Sequence, residues 1–203
     1  MVRKETLWEA QKRRNPGHSA WYIQRFEAMR SEGMDLHGEA RLIDAMAARG
    51  SRILDAGCGP GRLGGELAAR GHEVIGIDVD PELIEAARKD HPDVQWLVGD
   101  LAELDLPGQG IAEPFDLIVS AGNVLTFVAP GTAPDVLVRL ARHLAPQGRL
   151  VTGFGAGRGY EFEVFLKDAA GAGLALDHTF ATWDLRPFTP ASDFLVAVFS
   201  RAA

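Results

Sequence analysis

Cysteine occurs once in the 203 residues, at Cys58. An intrachain disulfide is therefore excluded, and so is a metal centre built on cysteine pairs. None of the six histidines (His18, His37, His72, His91, His143 and His178) pairs with another at a ligand spacing such as His-x-x-x-His, so no metal is implied. Positive charge is also scarce. Lys and Arg total 21 against 28 Asp and Glu, a formal net charge of -7, which argues against nucleic acid as the main partner because phosphate binding relies on clustered cations. No apolar run is long enough to span a bilayer and no signal-peptide core stands near the first residues, so the expected location is the cytoplasm.

What the chain has is a hydrophobic content of 46%, enough for one sizeable α/β core, whereas two domains would be cramped. Residues 1–50 read as an N-terminal helical cap or lid, and 51–203 as a single globular unit. In the first 17 residues Arg3, Lys4, Lys12, Arg13 and Arg14 outnumber Glu5 and Glu9, and a solvated, frayed terminus is expected. After the turn Asn15-Pro16-Gly17, Ser19 is placed to cap a helix carrying Trp21, Tyr22, Phe26 and Met29 at helical spacing. These aromatics serve either as packing or as a lid over a cleft. A second helix is expected over 38–49, stopped by Gly50.

From Ser51 the pattern becomes regular. Apolar runs at 52–55, 73–78, 94–98, 115–120 and 149–154 read as buried parallel strands. Helical patterns at 62–70, 81–89 and 134–144 separate them, with Pro81 and Pro134 in first turns. The alternation predicts a doubly wound, Rossmann-like sheet with helices on both faces. Two more strands, near 174–184 and 193–200, are joined by so short a link that they must be antiparallel. The expected total is a seven-stranded, mostly parallel sheet with an antiparallel C-terminal strand.

The stretch Ile53-Leu54-Asp55-Ala56-Gly57-Cys58-Gly59-Pro60-Gly61-Arg62 reads as strand, tight loop and helix. Its glycines let a ligand approach the main chain, and the helix beyond aims free N–H groups at the loop. Gly59-x-Gly61-x-x-Gly64 also satisfies the dinucleotide fingerprint, with Asp78 near the expected ribose-binding distance, so NAD is the alternative ligand at this point. A second glycine-rich segment, Gly153 to Gly159, has no strand-ending carboxylate before it and reads as a substrate-side loop or a plain turn.

Three successive strands end in aspartate, Asp55, Asp78 and Asp100, spaced 23 and 22 residues apart. Ligands of open α/β sheets bind beyond the carboxyl ends of strands, where strand order reverses. The carboxylates are therefore expected along one cleft. Asp78 suits two ribose hydroxyls, because an ionised carboxylate is acceptor-only. Asp100, with the Leu101 N–H, suits an adenine edge, and Asp55 an ammonium group directly or through water. An aspartate beside an anionic pyrophosphate would repel it, which favours a ligand with positive charge over NAD. Helix capping is the ordinary alternative for Asp80 and Asp100.

The ordered set Asp55-Ala56-Gly57-Cys58-Gly59-Pro60-Gly61, Gly76-Ile77-Asp78, Gly99-Asp100-Leu101, Phe115-Asp116-Leu117-Ile118-Val119-Ser120 and Leu144-Ala145-Pro146-Gln147-Gly148-Arg149-Leu150 resembles the motifs of class I S-adenosylmethionine-dependent methyltransferases over about 51–154. The closing strands are similar to that family's antiparallel ending, and Gln147 departs from a frequent glycine. The resemblance implies that Gly57 and Gly59 hold the methionine part and Asp78 the ribose. It implies that Val79 packs on adenine, that Asp100 and Leu101 read its edge, and that the main chain near Ser120 and Ala121 receives the ammonium. It further implies methyl transfer by in-line displacement.

Family members acting on amides carry Asn-Pro-Pro-Tyr or Asp-Pro-Pro-Tyr after strand four. Here Ser120-Ala121-Gly122-Asn123-Val124 stands there, so a small-molecule acceptor is expected. Asn123 either orients an acceptor, contacts the cofactor, or is a turn residue bonding its own main chain. Trp21, Tyr22 and Arg158 are the further candidates around the acceptor, and no general base is singled out. An oxidoreductase using NAD(P), or a protein that binds S-adenosylmethionine without catalysis, are the other readings.

Overall fold

The computed structural model describes residues 3–202. Seven strands form one sheet in the order β3-β2-β1-β4-β5-β7-β6. They are β1 Arg52–Ala56, β2 Glu73–Asp78, β3 Gln95–Val98, β4 Phe115–Ser120, β5 Leu144–Gly155, β6 Leu174–Phe180 and β7 Phe194–Arg201. The first five pair in parallel, while β7 runs antiparallel between β5 and β6. The helices are α1 Leu7–Arg14, α2 His18–Ser31, α3 Gly38–Met46, α4 Arg62–Ala69, α5 Pro81–Asp90, α6 Ala133–His143 and α7 Phe162–Gly171. Among the described residues no helix is long and apolar enough to cross a membrane.

Alternate residues of the central strands enter cores on opposite faces, as the period of two requires. Leu54, Ile75, Ile118 and Leu150 join α6 and α7 around Leu137, Leu140 and Phe165. Ile53, Val74, Leu117 and Val151 join α3 and α4 around Ile43, Leu63 and Leu67. α3 thus helps to cover the sheet and is not confined to a cap.

The chain reaches the β3 edge and then returns across the sheet to place β4 beside β1. The loops after β1 and β4 leave in diverging directions, which opens the crevice expected at such a reversal.

Trp96, on edge strand β3, is buried against Cys58, Ile84 and Ala87. Its indole N–H donates to the His91 carbonyl at 2.9 Å. A Cβ on Gly76 would lie 2.2 Å from two atoms of the Trp96 ring, and one on Gly64 2.9 Å from it. Gly61 is constrained twice, by φ +80° and by a Cβ position 3.0 Å from the same ring. These glycines clear space for an indole as well as for a ligand.

The terminus expected to fray is helical. Thr6 and Glu9 close a reciprocal capping box on α1, the Thr-x-x-Glu signature that satisfies free N–H groups at a helix start. α2 starts at His18 behind Gly17, which has no side chain to cap it, and Ser19, expected as the cap, lies in the first turn and donates its hydroxyl to Asp80. α3 ends at Met46, three residues short of expectation, and β6 ends at Phe180.

Gly76→Ala is expected to cost about 1–3 kcal/mol by overpacking Trp96. Urea unfolding followed by circular dichroism reads this as a lowered midpoint, and an unchanged midpoint would mean that Trp96 repacks freely.

Candidate cofactor and acceptor site

The loop after β1 is hung from the end of β2, since Gly57 and Cys58 N–H both donate to the Ile77 carbonyl at 2.8 and 3.1 Å. Gly57 takes φ +85°, and a Cβ there would collide with Val124 of the β4 loop. The two loops therefore touch at the crevice. Asp78 lies beside them at the end of β2. One of its oxygens accepts from Gly59 N–H and the other from Asp80 N–H, each at 2.9 Å. Burial, partly offset by those bonds, pushes its carboxyl up to about 6. Each oxygen keeps a lone pair for a further donor.

Asp78, Val79, Asp100, Leu101, Gly57 and Gly59 all line one cavity of about 560 Å³. Gly99, Ala121, Asn123, Trp21, Tyr22 and Arg158 line it too. Residues from Thr6 to Glu39 supply a large share of the lining, and Tyr22 lies over the glycine loop, 3.7 Å from where a Gly59 Cβ would be.

Two expected residues stand apart. Asp55 does not line the cavity. It is 2% exposed, and its carboxylate accepts from Gly64 N–H at 2.9 Å behind the loop. Where contact with a ligand ammonium, directly or through water, was expected, the structure shows Asp55 anchoring the first turn of α4. The β1–β2 register explains why, because Asp55 lies opposite Gly76, two residues deeper than Asp78. Burial, with nearby Asp78 and Glu39 adding repulsion, raises its carboxyl to about 7. Ser120 is likewise outside the cavity lining, with its hydroxyl buried and unpartnered. Ala121 next to it does face the cavity.

Asn123 occupies the left-handed region at φ 67°, which Asn tolerates better than most residues. Its side-chain oxygen accepts from Gly155 N–H at 2.8 Å and its own N–H donates to the Gly153 carbonyl. It is the turn residue that ties the β4 loop to the end of β5. Asp100 caps the short 3-10 turn after β3 by accepting from Ala102 N–H at 2.9 Å, and Arg3 leans on its other oxygen at 3.4 Å.

Asp80 is the residue that sequence reasoning undervalued. It caps α5 through Glu82 N–H, as expected. It also accepts from Trp8 Nε1 at 2.8 Å, from Lys12 Nζ at 2.5 Å and from the Ser19 hydroxyl. Burial opposes its ionisation, but the hydrogen bonds from Lys12, Ser19 and Trp8 prevail and hold its carboxyl below the usual range. One carboxylate thus fastens α1 and α2 to the sheet. Arg62, at the start of α4, pins the next connection by pairing with both Glu39 oxygens and the Leu36 carbonyl.

The residues fit an adenosine carrying a cationic amino-acid arm. Asp78 has free acceptor sites, Val79 and Leu101 give an apolar wall, and the loop bares its main chain. Gly64, the last glycine of the dinucleotide spacing, points at Asp55 and Trp96 and not at the cavity, so packing accounts for it.

Two outcomes are expected. Asp55→Asn removes a buried charge and should stabilise the protein at pH 8 by roughly 1–3 kcal/mol. A carboxyl raised on folding carries its full penalty above its folded value, so the advantage should begin to shrink as pH falls below about 7 and be gone near the unfolded value of about 4; thermal melts across pH check this. Asp80→Ala should cost about 2–4 kcal/mol and speed proteolysis within residues 3–31. Cleavage at the wild-type rate would mean that the cap is held elsewhere.

Comparison with known proteins agrees with this geometry. Residues 53–148 match the family described as a methyltransferase domain. The crystal structure of a TehB-like SAM-dependent methyltransferase from Corynebacterium glutamicum is 52% identical, superposes with a TM-score of 0.87, and covers 92% of this chain and 100% of its own. Magnesium protoporphyrin IX methyltransferase from Synechocystis PCC 6803, solved with bound SAM, shares the fold at 21% identity, with a TM-score of 0.62 over 81% of this chain and 76% of its own. Among curated relatives, a trans-aconitate 2-methyltransferase from Azoarcus sp. is 34% identical over 118 residues, 57% of this chain and 42% of that protein. The magnesium-protoporphyrin O-methyltransferase of Rhodobacter capsulatus is 38% identical over 96 residues, 45% of this chain and 39% of that protein. The chain therefore spans less than half the length of these curated relatives. With a motif set in order, a sheet of the matching topology and a relative of half-identical sequence along its whole length, this chain belongs to the class I S-adenosylmethionine-dependent methyltransferases.

Proposed function

We propose that the protein transfers a methyl group from S-adenosylmethionine to a small-molecule acceptor. The observation that carries this reading is the placement of Asp78, with a free acceptor site on each oxygen, in the same cavity as the glycine loop and Asp100. When bound, the cofactor supplies a methyl group on a sulfonium, open to in-line displacement by a nucleophile.

The chain's part is to bind, orient and exclude water. Asp78 would accept the two ribose hydroxyls, Val79 and Leu101 would flank adenine, and Gly57 and Gly59 would bring main chain against the methionine part. Asp100 would take the adenine amine, sharing its outer oxygen with Arg3 or displacing it. The Ala121 main chain would meet the ammonium. The cap of α1 and α2 forms part of the cavity wall with Trp8, Tyr22 and Phe26, and the Asp80 bonds fix its position. A dry, fixed site supplies catalysis by positioning, worth roughly 7–11 kcal/mol when two reactants are well aligned. No side chain need act as a base when the acceptor is already nucleophilic. A cavity of about 560 Å³, roofed in part by the cap, supports a small acceptor over a polymer.

Calorimetry with S-adenosylmethionine and S-adenosylhomocysteine tests the reading. Asp78→Ala is expected to weaken both by roughly 10–150-fold through loss of two charge-assisted hydrogen bonds. Because only the ionised carboxylate accepts both hydroxyls, wild-type affinity should fall as pH drops below about 6, with Asp78→Asn insensitive over that range. Binding untouched by either substitution would sink the proposed pocket. Tight cofactor binding without turnover on a broad acceptor panel would favour a non-catalytic binding protein.

A further inference from the structure

Charge around the cavity is divided. The carboxylates Asp78 and Asp100 follow β2 and β3, on one side of the β1–β4 reversal. Arg158 follows β5 on the other side, next to Asn123: a Cβ on Gly155 would lie 3.3 Å from Arg158 Nε and 3.7 Å from the Asn123 side-chain oxygen. Three arginines line the cavity, Arg25, Arg62 and Arg158. Arg62 is neutralised by Glu39. Arg25 and Arg158 have no carboxylate partner and donate no hydrogen bond among the described residues, and Arg25 only rests near the face of Trp21, its guanidinium carbon 5.9 Å from the ring centroid. The other carboxylate of the cap side, Asp35, is taken by Arg41.

Arg25 and Arg158 are exposed at the edge of the cavity, and two unpaired guanidinium groups beside a cationic cofactor add like charge there. An anionic ligand offsets that charge, and guanidinium is the group best suited to grip a carboxylate. Trp21, 52% exposed, stands beside Arg25, and the partly buried rings of Phe26 and Phe127 line the same cavity. A cavity with both apolar rings and unpartnered cations selects an organic anion over an inorganic one, since only the former has a body to bury.

Resting on the methyltransferase reading, we infer that the acceptor is a small organic carboxylate with an apolar body, held between Arg25 of the cap and Arg158 beyond β5. The carboxylate is the handle. The inference does not assign the atom that receives the methyl group.

The test uses the full chain saturated with S-adenosylhomocysteine, titrated calorimetrically with benzoate, phenylacetate and hexanoate and with the matched neutral amides. At least one acid should bind about tenfold or more tightly than its amide, a charge-assisted contribution. Arg25→Gln and Arg158→Gln should each abolish most of that preference while S-adenosylhomocysteine affinity stays within about twofold. Equal binding of acid and amide, no acid binding, or a preference that survives in the double variant overturns the inference. Inorganic phosphate binding in place of the organic acids overturns the apolar body, and loss of S-adenosylhomocysteine affinity in either variant assigns that arginine to the cofactor and overturns its role here. Failure of wild type to bind S-adenosylhomocysteine at all would instead strike the proposed function, so the two failures are separable.

Discussion

A carboxylate at the mouth of a buried strand is tolerable only if something donates to it. In this protein that requirement shapes the whole carboxyl edge of the sheet. Asp55 is met by Gly64 N–H, Asp78 by the N–H groups of Gly59 and Asp80, Asp100 by Ala102 N–H, and Asp80 by four donors from three helices. Each bond fixes a piece of loop or helix relative to a strand end. The binding surface is therefore rigid where it meets charge, and its shape follows from how each buried acid finds partners.

Much of this was legible beforehand. Continuous apolar runs gave the strands, Pro81 and Pro134 marked helix starts, and the short link read between strands at 174–184 and 193–200 called for the antiparallel pair that β6 and β7 form. The carboxylates were visible as residues but not as depths. Parallel register sets Asp55 against Gly76 and Asp78 against Val98, so a row that looks level in the sequence descends below the loop at one end. Register is a tertiary quantity, and the spacing of motifs along the chain does not encode it.

The cap was the larger omission, for a different reason. Thr6-Leu7-Trp8-Glu9 carries a capping-box signature that composition obscured, since a run of basic residues reads as solvated chain. α1 is only eight residues long and has no buried residue of its own. Isolated helices of that length are marginal in water. What holds it is Asp80, 68 residues beyond Lys12 and 72 beyond Trp8, and no local pattern announces a partner at such separation. The glycines carry a related lesson. Gly61, Gly64 and Gly76 resemble parts of ligand motifs, yet all three clear space for the Trp96 indole.

The insertion of β7 between β5 and β6 has a consequence for how the molecule is made. During synthesis β6 emerges with no neighbour to pair with, because the strand that bridges it to β5 follows it in the chain. Until then Val151 and Phe154 on β5 lack the cover that Val198 and Leu195 later provide. That half of the sheet is a nascent, sticky edge on the ribosome, the kind of surface that chaperones shield.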